Sequence, residues 1–422
     1  MKLLLQTNDP IIKQLTRTGE PPLTKVRIIL FDHKSRPIRF REGPTWAIGD
    51  EVLNICMDGF ERSPYFEIVG TSLIPDFNVD PSFVLEENED VVWVVDMRRI
   101  VLRQSYSIHR QLVILANATI RDQEEKVVSG KLVRRPRLTI VLMDFRDRFS
   151  ANTLCTKAIR ELISLVGDNG SVRNVVQPVV RGRKWSDQRN FIVPGEVWDC
   201  RPDNECFGSS TLHVSYTVRS DYAEAVMKSF PQYQPISSQA ITAEQNAADT
   251  ERHIDVAHFW PHERDKPSEA HAKLRDAVTD VIKETSDSKG FNVIVDFVSA
   301  AAKQGRSQVS PKYVEALLTT KIVVVAQRDD WEDHYRLFEA IIGGALVMTD
   351  TMLSLPEGLA HKESIVVYNS LAELRELLSY YLDPRNEAER LSIARAGWKV
   401  AISLHRTYHW MERIFFGRII TM

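Results

Sequence analysis

The stretch His334–Asp350, HYRLFEAIIGGALVMTD, decides how the chain folds. Leu337, Phe338, Ala340, Ile341 and Ile342 wrap apolar surface around most of a short helix, predicted over 334–342, so the helix reads as buried. Two glycines follow, then an apolar strand predicted over 345–350 that ends in Asp350. A buried helix turning tightly into a short apolar strand is half of an α/β repeat. Within the helix, Arg336 and Glu339 stand three residues apart, one turn from each other on the same face. Two readings of that pair are open. It is an ion pair with Gly343 and Gly344 closing the helix, or it is a polar pair kept for a ligand.

Working outward, the same alternation recurs. Ahead of it come strand 254–260, helix 268–285, strand 291–297, helix 310–320 and strand 321–327. After it come strand 364–368, helix 370–382 and an almost wholly helical tail over 386–416. The first half holds an equivalent series. Strands are predicted at 26–32, 66–71, 91–96, 137–144, 172–180 and 211–219, with the clearest helices at 105–120 and 153–167. Runs such as VRIILFD (26–32) and KIVVVAQ (321–327) are apolar throughout rather than alternating, as in parallel strands covered on both faces. Between the two series lies a polar stretch rich in Gln, Ala and Ser. The expected organisation is therefore two Rossmann-like α/β domains, 1–235 and 253–422, joined by a linker at 236–252. Open parallel sheets bind ligands beyond the carboxyl ends of their strands, so two such sheets are expected to face each other across a cleft.

Composition excludes several classes. With 422 residues, 43% hydrophobic and 26% charged, the chain can bury two cores. A net charge of −3 argues against a nucleic-acid partner. No apolar run is long enough to span a membrane. As it stands the chain reads as cytosolic, or as lumenal in the Golgi if an anchor precedes Met1. Four cysteines do not make a disulfide scaffold, although Cys200 and Cys206 are close enough in sequence to bridge. No P-loop, no G-x-G-x-x-G, no H-E-x-x-H and no G-x-S-x-G is present. Nor is there an Asp-x-Asp, so no metal site is expected.

The segment RLFEAIIGGALVMTD, the LPEGL at 355–359, the helix NSLAELRELLSYYL, the RAGWKV of the tail and the closing HRTYHWMERI resemble, in that order, the C-terminal domain of GT-B glycosyltransferases. The likeness is to the glycosyl transferases group 1 and exostosin-like families, and it runs from 254 to 416. It implies that Glu339 binds the ribose hydroxyls of a nucleotide-sugar donor of the UDP or GDP type. It implies that Arg336 meets the diphosphate or orients Glu339. Gly343 and Gly344 then either let backbone approach the donor or end the helix. Arg264 and Lys266, just after the first strand of this half, become diphosphate ligands, with His258 assisting. In the first half, Asp32 or His33 is the candidate general base toward a glycan or other hydroxyl acceptor, and Asp144 is the second candidate. A glutamate that many group 1 enzymes carry eight residues before the ribose-binding one is Trp331 here, so the resemblance does not fix retention or inversion. Apart from the donor substrate, no cofactor is implied. Two other outcomes stay open: a catalytically inactive scaffold that binds glycan or a partner, and a nucleotide-sugar epimerase.

Overall fold

The computed structural model describes residues 23–31, 58–74, 91–96, 105–130, 138–144, 157–167, 170–176, short stretches between 180 and 213, then 252–260, 273–295, 311–327, 335–352, 355–416 and 419. Residues 236–251 of the predicted linker and the Cys200–Cys206 pair lie outside them.

In the first half, strands β1 (Thr24–Phe31), β2 (Phe66–Ile74) and β3 (Val91–Asp96) are followed by helix α1 (Ser105–Val128), β4 (Leu138–Asp144), α2 (Lys157–Val166), β5 (Gly170–Val176) and β6 (Thr211–His213). These six strands form one sheet in the order β6-β5-β4-β3-β1-β2, and every pairing in it is parallel. Its core joins Trp93 and Val95, Ile140 and Leu142 to Leu112, Leu115 and Ala116 of α1 and to Leu162 and Val166 of α2. Helix α1 runs eight residues beyond the expected end at 120. Those residues, RDQEEKVV, have no apolar periodicity, but they include good helix formers that continue a helix into solvent. Strand β5 is described as far as Val176, and 177–179 of the predicted strand lie outside the described residues.

The second half holds β7 (Ile254–His258), α3 (Lys273–Lys289), β8 (Val293–Val295), α4 (Pro311–Thr319), β9 (Thr320–Val325), α5 (Tyr335–Ile342), β10 (Leu346–Asp350), β11 (Val366–Tyr368), α6 (Leu371–Tyr381), α7 (Glu387–Leu404) and α8 (Thr407–Phe416). Its five strands are again all parallel, in the order β8-β7-β9-β10-β11. The apolar run of β9 is shared between two cores. Ile322, Val324 and Ala326 pack with α3 and α6, while Val323 and Val325 pack with α4, α5 and α7. A strand buried on both faces needs apolar residues at every position, which is why KIVVVAQ shows no alternation.

The tail is two helices rather than one. His405 ends α7, and its Nε2 lies 2.8 Å from the Glu357 carbonyl oxygen while its ring packs 4.4 Å from that of Phe338 in α5. The break redirects α8 toward the first half. There Ser63 Oγ donates to the fully buried Glu412 at 3.0 Å, and Thr407 Oγ1 donates to Asp58 at 2.6 Å. Phe60 and Phe66 pack against Phe415 and Phe416 with ring centroids 5.2 to 5.5 Å apart. Upstream, α7 crosses the sheet at Gly397, where a Cβ would stand 2.3 Å from the Ser364 carbonyl oxygen.

Gly397→Ala therefore forces α7 off the backbone of residue 364. It is expected to destabilise the protein by about 2 kcal/mol or more, read as a lower denaturation midpoint. An unchanged midpoint would show that α7 has room there. A second expectation concerns His405. Burial, together with Arg413 and His409, lowers its pKa to about 4, although the Glu357 carbonyl opposes that shift. The unfolded chain takes up this proton near pH 6.5, so the stability held by the neutral ring is complete above that pH and is lost as the pH falls toward 4. The loss for this one group is about 3 kcal/mol at most. Comparing melting temperatures of wild type and His405→Gln from pH 7.5 to 4.5 should show a shallower decline in the variant. Parallel declines would remove His405 as a source of the acid sensitivity.

Candidate functional site

In the second sheet β7 lies between β8 and β9, so the crossovers leave it in opposite directions. That reversal opens a crevice at the carboxyl ends of β7 and β9, the place where open α/β sheets accommodate ligands. The pocket found there is partly open to solvent and is lined by His258, Phe259 and Trp260 at the end of β7, Val323 to Ala326 at β9, Arg275 of α3 and Arg336 of α5. The first sheet has the same kind of switch between β1 and β3. Asp32 follows β1 directly.

Helix α5 enters on the carboxyl side of β9 and returns to the start of β10, so its first turn lies at the ligand edge and its last at the opposite edge. Arg336, in the first turn, donates from Nη1 to the Phe259 carbonyl oxygen and lies 5.1 Å from the Trp260 ring centroid. It thereby pins the chain leaving β7 to α5. Glu339, one turn on, is only 7% exposed. Its Oε2 accepts from the Tyr313 hydroxyl at 2.9 Å, and Tyr313 packs edge-on to Phe259 at 5.1 Å. A carboxylate held this way on a packed helix is preoriented, as a bidentate acceptor must be.

The glycine pair closes the helix. Gly343 N–H bonds back to the Glu339 carbonyl and Gly344 N–H to that of Ile341, and Gly344 has φ +76°, so together they end α5. Arg252 Nη2 donates to the Gly343 carbonyl at 2.9 Å, and a Cβ on Gly344 would meet that guanidinium at 2.8 Å. Gly343 and Gly344 thus sit at the end of α5 away from Arg336, as in the helix-ending alternative. Their smallness makes room for Arg252, which also caps the carbonyls of Leu317 and Thr320.

His258 closes β7 and is 3% exposed. Its Nδ1 lies 2.8 Å from the Val324 carbonyl oxygen, and because a carbonyl only accepts, Nδ1 carries the proton. Burial above all, with Arg275 and Arg336 adding to it, lowers its pKa to about 4 against the opposing pull of the Val324 carbonyl. The ring is neutral at pH 7 and offers a lone pair at Nε2. A neutral ring adds no positive charge, so the positive charge of the pocket lining comes from Arg275 and Arg336.

Arg275 is a member of the site that the sequence reading missed. It is 2% exposed, donates from Nε to the Ala326 carbonyl at 2.9 Å, and stacks 3.6 Å from the Trp260 ring centroid. The signal was present: Arg275 shares a helix face with Val278, Thr279 and Ile282, all buried. Tyr313 was missed for a different reason, since only folding brings α4 beside α5. Gln327 and Asp350 complete the edge, the Gln327 N–H bonding to Asp350 Oδ1 at 2.8 Å and its side-chain amide donating to Thr349 Oγ1 at 3.1 Å. Asp144 ends β4. Asp32, His33, Arg264, Lys266 and Trp331 lie outside the described residues. Among the described residues no cluster of His, Cys, Asp and Glu could hold a metal ion, and no helix is long and apolar enough to cross a membrane.

Solved structures similar to this chain include HepE of Anabaena in complex with UDP, at 10% identity over 93% of this chain and 98% of that one, with a TM-score of 0.43. They include a glycosyltransferase from Rickettsia africae ESF-5, at 8% identity, 92% and 96% coverage and a TM-score of 0.42. A putative UDP-N-acetylglucosamine 2-epimerase from Listeria monocytogenes is similar at 12% identity, 94% and 100% coverage and a TM-score of 0.39. Likenesses this distant carry no functional argument. No curated protein matches the sequence. A family model does: residues 291–415, which hold Tyr313, Arg336 and Glu339, match the family described as glycosyl transferase-like. The likeness to that family lies within the C-terminal α/β unit of this chain.

Proposed function

We propose that the chain is a glycosyltransferase that moves a sugar from a nucleotide-sugar donor of the UDP or GDP type to a hydroxyl acceptor without a metal ion. The observation that carries this reading is Glu339: a nearly buried carboxylate, held by Tyr313 on helix α5, inside the segment that matches the glycosyl transferase-like family. A fixed carboxylate can accept from both hydroxyls of a ribose. In this reading residues 253–422 form the donor domain, 1–235 the acceptor domain and 236–252 the connection between them. Arg336, with Arg264 and Lys266, faces the diphosphate and stabilises the negative charge that grows on it as the glycosidic bond breaks. Asp32 or His33, after β1 at the switch point of the first sheet, takes the proton of the acceptor hydroxyl; Asp144 at the end of β4 is the second candidate.

The test is a calorimetric titration of UDP- and GDP-sugars into wild type, Glu339→Gln and Tyr313→Phe, followed by an assay of nucleotide release with and without acceptor glycans. One nucleotide family should bind wild type. Glu339→Gln should weaken it by about 10- to 100-fold, the range for a lost hydrogen bond to a charged group. Tyr313→Phe, which frees the carboxylate to turn, should cost a smaller factor of about three to ten. If no nucleotide binds, the donor-site assignment fails. If nucleotide binds but is never released from its sugar, the chain is an inactive binding scaffold.

A further inference from the structure

The imidazole of His258 has one nitrogen too many for its surroundings. Nδ1 is committed to the Val324 carbonyl. Nε2 is buried and has no hydrogen-bond partner. A buried acceptor left unpaired in this way asks for a donor. The ring lines the switch-point pocket with Trp260, Arg275 and Arg336, two of which carry guanidinium groups. Trp260 and Arg336 are half-buried members of that lining.

Few chemical groups suit such a wall. A diphosphate oxygen is drawn to the arginines but brings no proton to Nε2 and sets its charge against the lone pair. A nucleobase N–H can donate to Nε2 but offers the guanidinium groups nothing on the same atom. A hydroxyl does both, donating to Nε2 and accepting from an arginine through one oxygen. We propose that His258 is a positioning residue that accepts a hydrogen bond from a hydroxyl of the bound donor, beside the arginines that face the diphosphate. The inference rests on the donor-site reading above. Two hydroxyl sources are available in such a donor, the ribose and the transferred sugar.

The variants His258→Asn and His258→Gln separate the two ends of the ring. Asparagine can keep a donor toward the Val324 carbonyl while removing the acceptor at the Nε2 position; glutamine can place its amide oxygen near that position. Dissociation constants would be measured for inorganic pyrophosphate, for UDP and UDP-glucose, and for GDP and GDP-mannose, with melting temperatures as a check on folding. His258→Asn should weaken the hydroxyl-bearing ligand about tenfold and leave pyrophosphate unchanged, and His258→Gln should recover most of the loss. Equal weakening of nucleotide and nucleotide-sugar identifies the ribose; weakening of the nucleotide-sugar alone identifies the transferred sugar. Wild-type affinity for UDP-glucose, whose diphosphate does not titrate in this range, should be the same at pH 7.5 and 5.5.

Three results would overturn the proposal. One is a parallel loss of pyrophosphate binding, which makes His258 part of the phosphate site. Another is tighter UDP-glucose binding at the lower pH, which makes it a cation. The third is unchanged affinities in both variants, which leaves Nε2 to an enclosed water. If wild type binds none of the nucleotides, it is the donor-site reading that fails, and this proposal falls with it. If His258→Asn does not fold, His258→Gln and the pH comparison still decide between acceptor and cation.

Discussion

A parallel strand covered by helices on both faces has only its two ends in which to place polar chemistry. That constraint organises the C-terminal half of this protein. Strand β9 carries buried apolar residues along its length, and its first polar side chain after the run is Gln327, just past the carboxyl end. Strand β7 ends in His258 and β10 in Asp350, while Asp255 near the start of β7 is paired with Lys321 of β9 at 2.7 Å. Any polar group deeper in the sheet would need a partner there, so the ligand-facing chemistry gathers along one edge.

The polar groups at that edge are held by packing as much as by each other. Phe259 is the meeting point: its ring receives Tyr313, its carbonyl receives Arg336, and Tyr313 in turn fixes Glu339. Strand β7, helix α4 and helix α5 are thereby joined at one residue. Trp260 next to it is flanked by the guanidinium groups of Arg275 and Arg336, which extends the same arrangement to α3. At the opposite edge, Arg252 ties the end of α5 to the ends of α4 and the start of β9. Helix α5 is thus anchored at both ends, and a charged pair within it keeps its place.

The tail links this arrangement to the first half of the chain. His405 packs on Phe338, the residue before Glu339, and bonds to the Glu357 backbone, while Arg413 of α8 pairs with the Glu357 side chain at 2.7 Å. From there α8 reaches Ser63, Phe60 and Phe66. The helix that carries the candidate donor residues and the helix that contacts the first half are therefore linked through His405 and Glu357.

Much of this was legible in the residues. Continuous apolar runs marked parallel strands, and a charged pair on an otherwise apolar helix marked α5, because burial and helical period are local properties of a sequence. The order of elements was enough to place two α/β units and to expect a crevice at the carboxyl edge. What the residues could not supply was partnership across that edge. Nothing local says that Tyr313 meets Glu339, that Arg275 stacks on Trp260, or that an arginine at 252 needs the space two glycines leave. The charge of His258 was equally out of reach, since it depends on burial and on two arginines that lie 17 and 78 positions along the chain. The sequence by itself determined which segments must be buried and which ends must face a ligand, since hydrophobic periodicity is written residue by residue. Only the tertiary structure decided which polar atoms are already used and which remain available, because hydrogen bonds between distant segments are made by folding and leave no period behind.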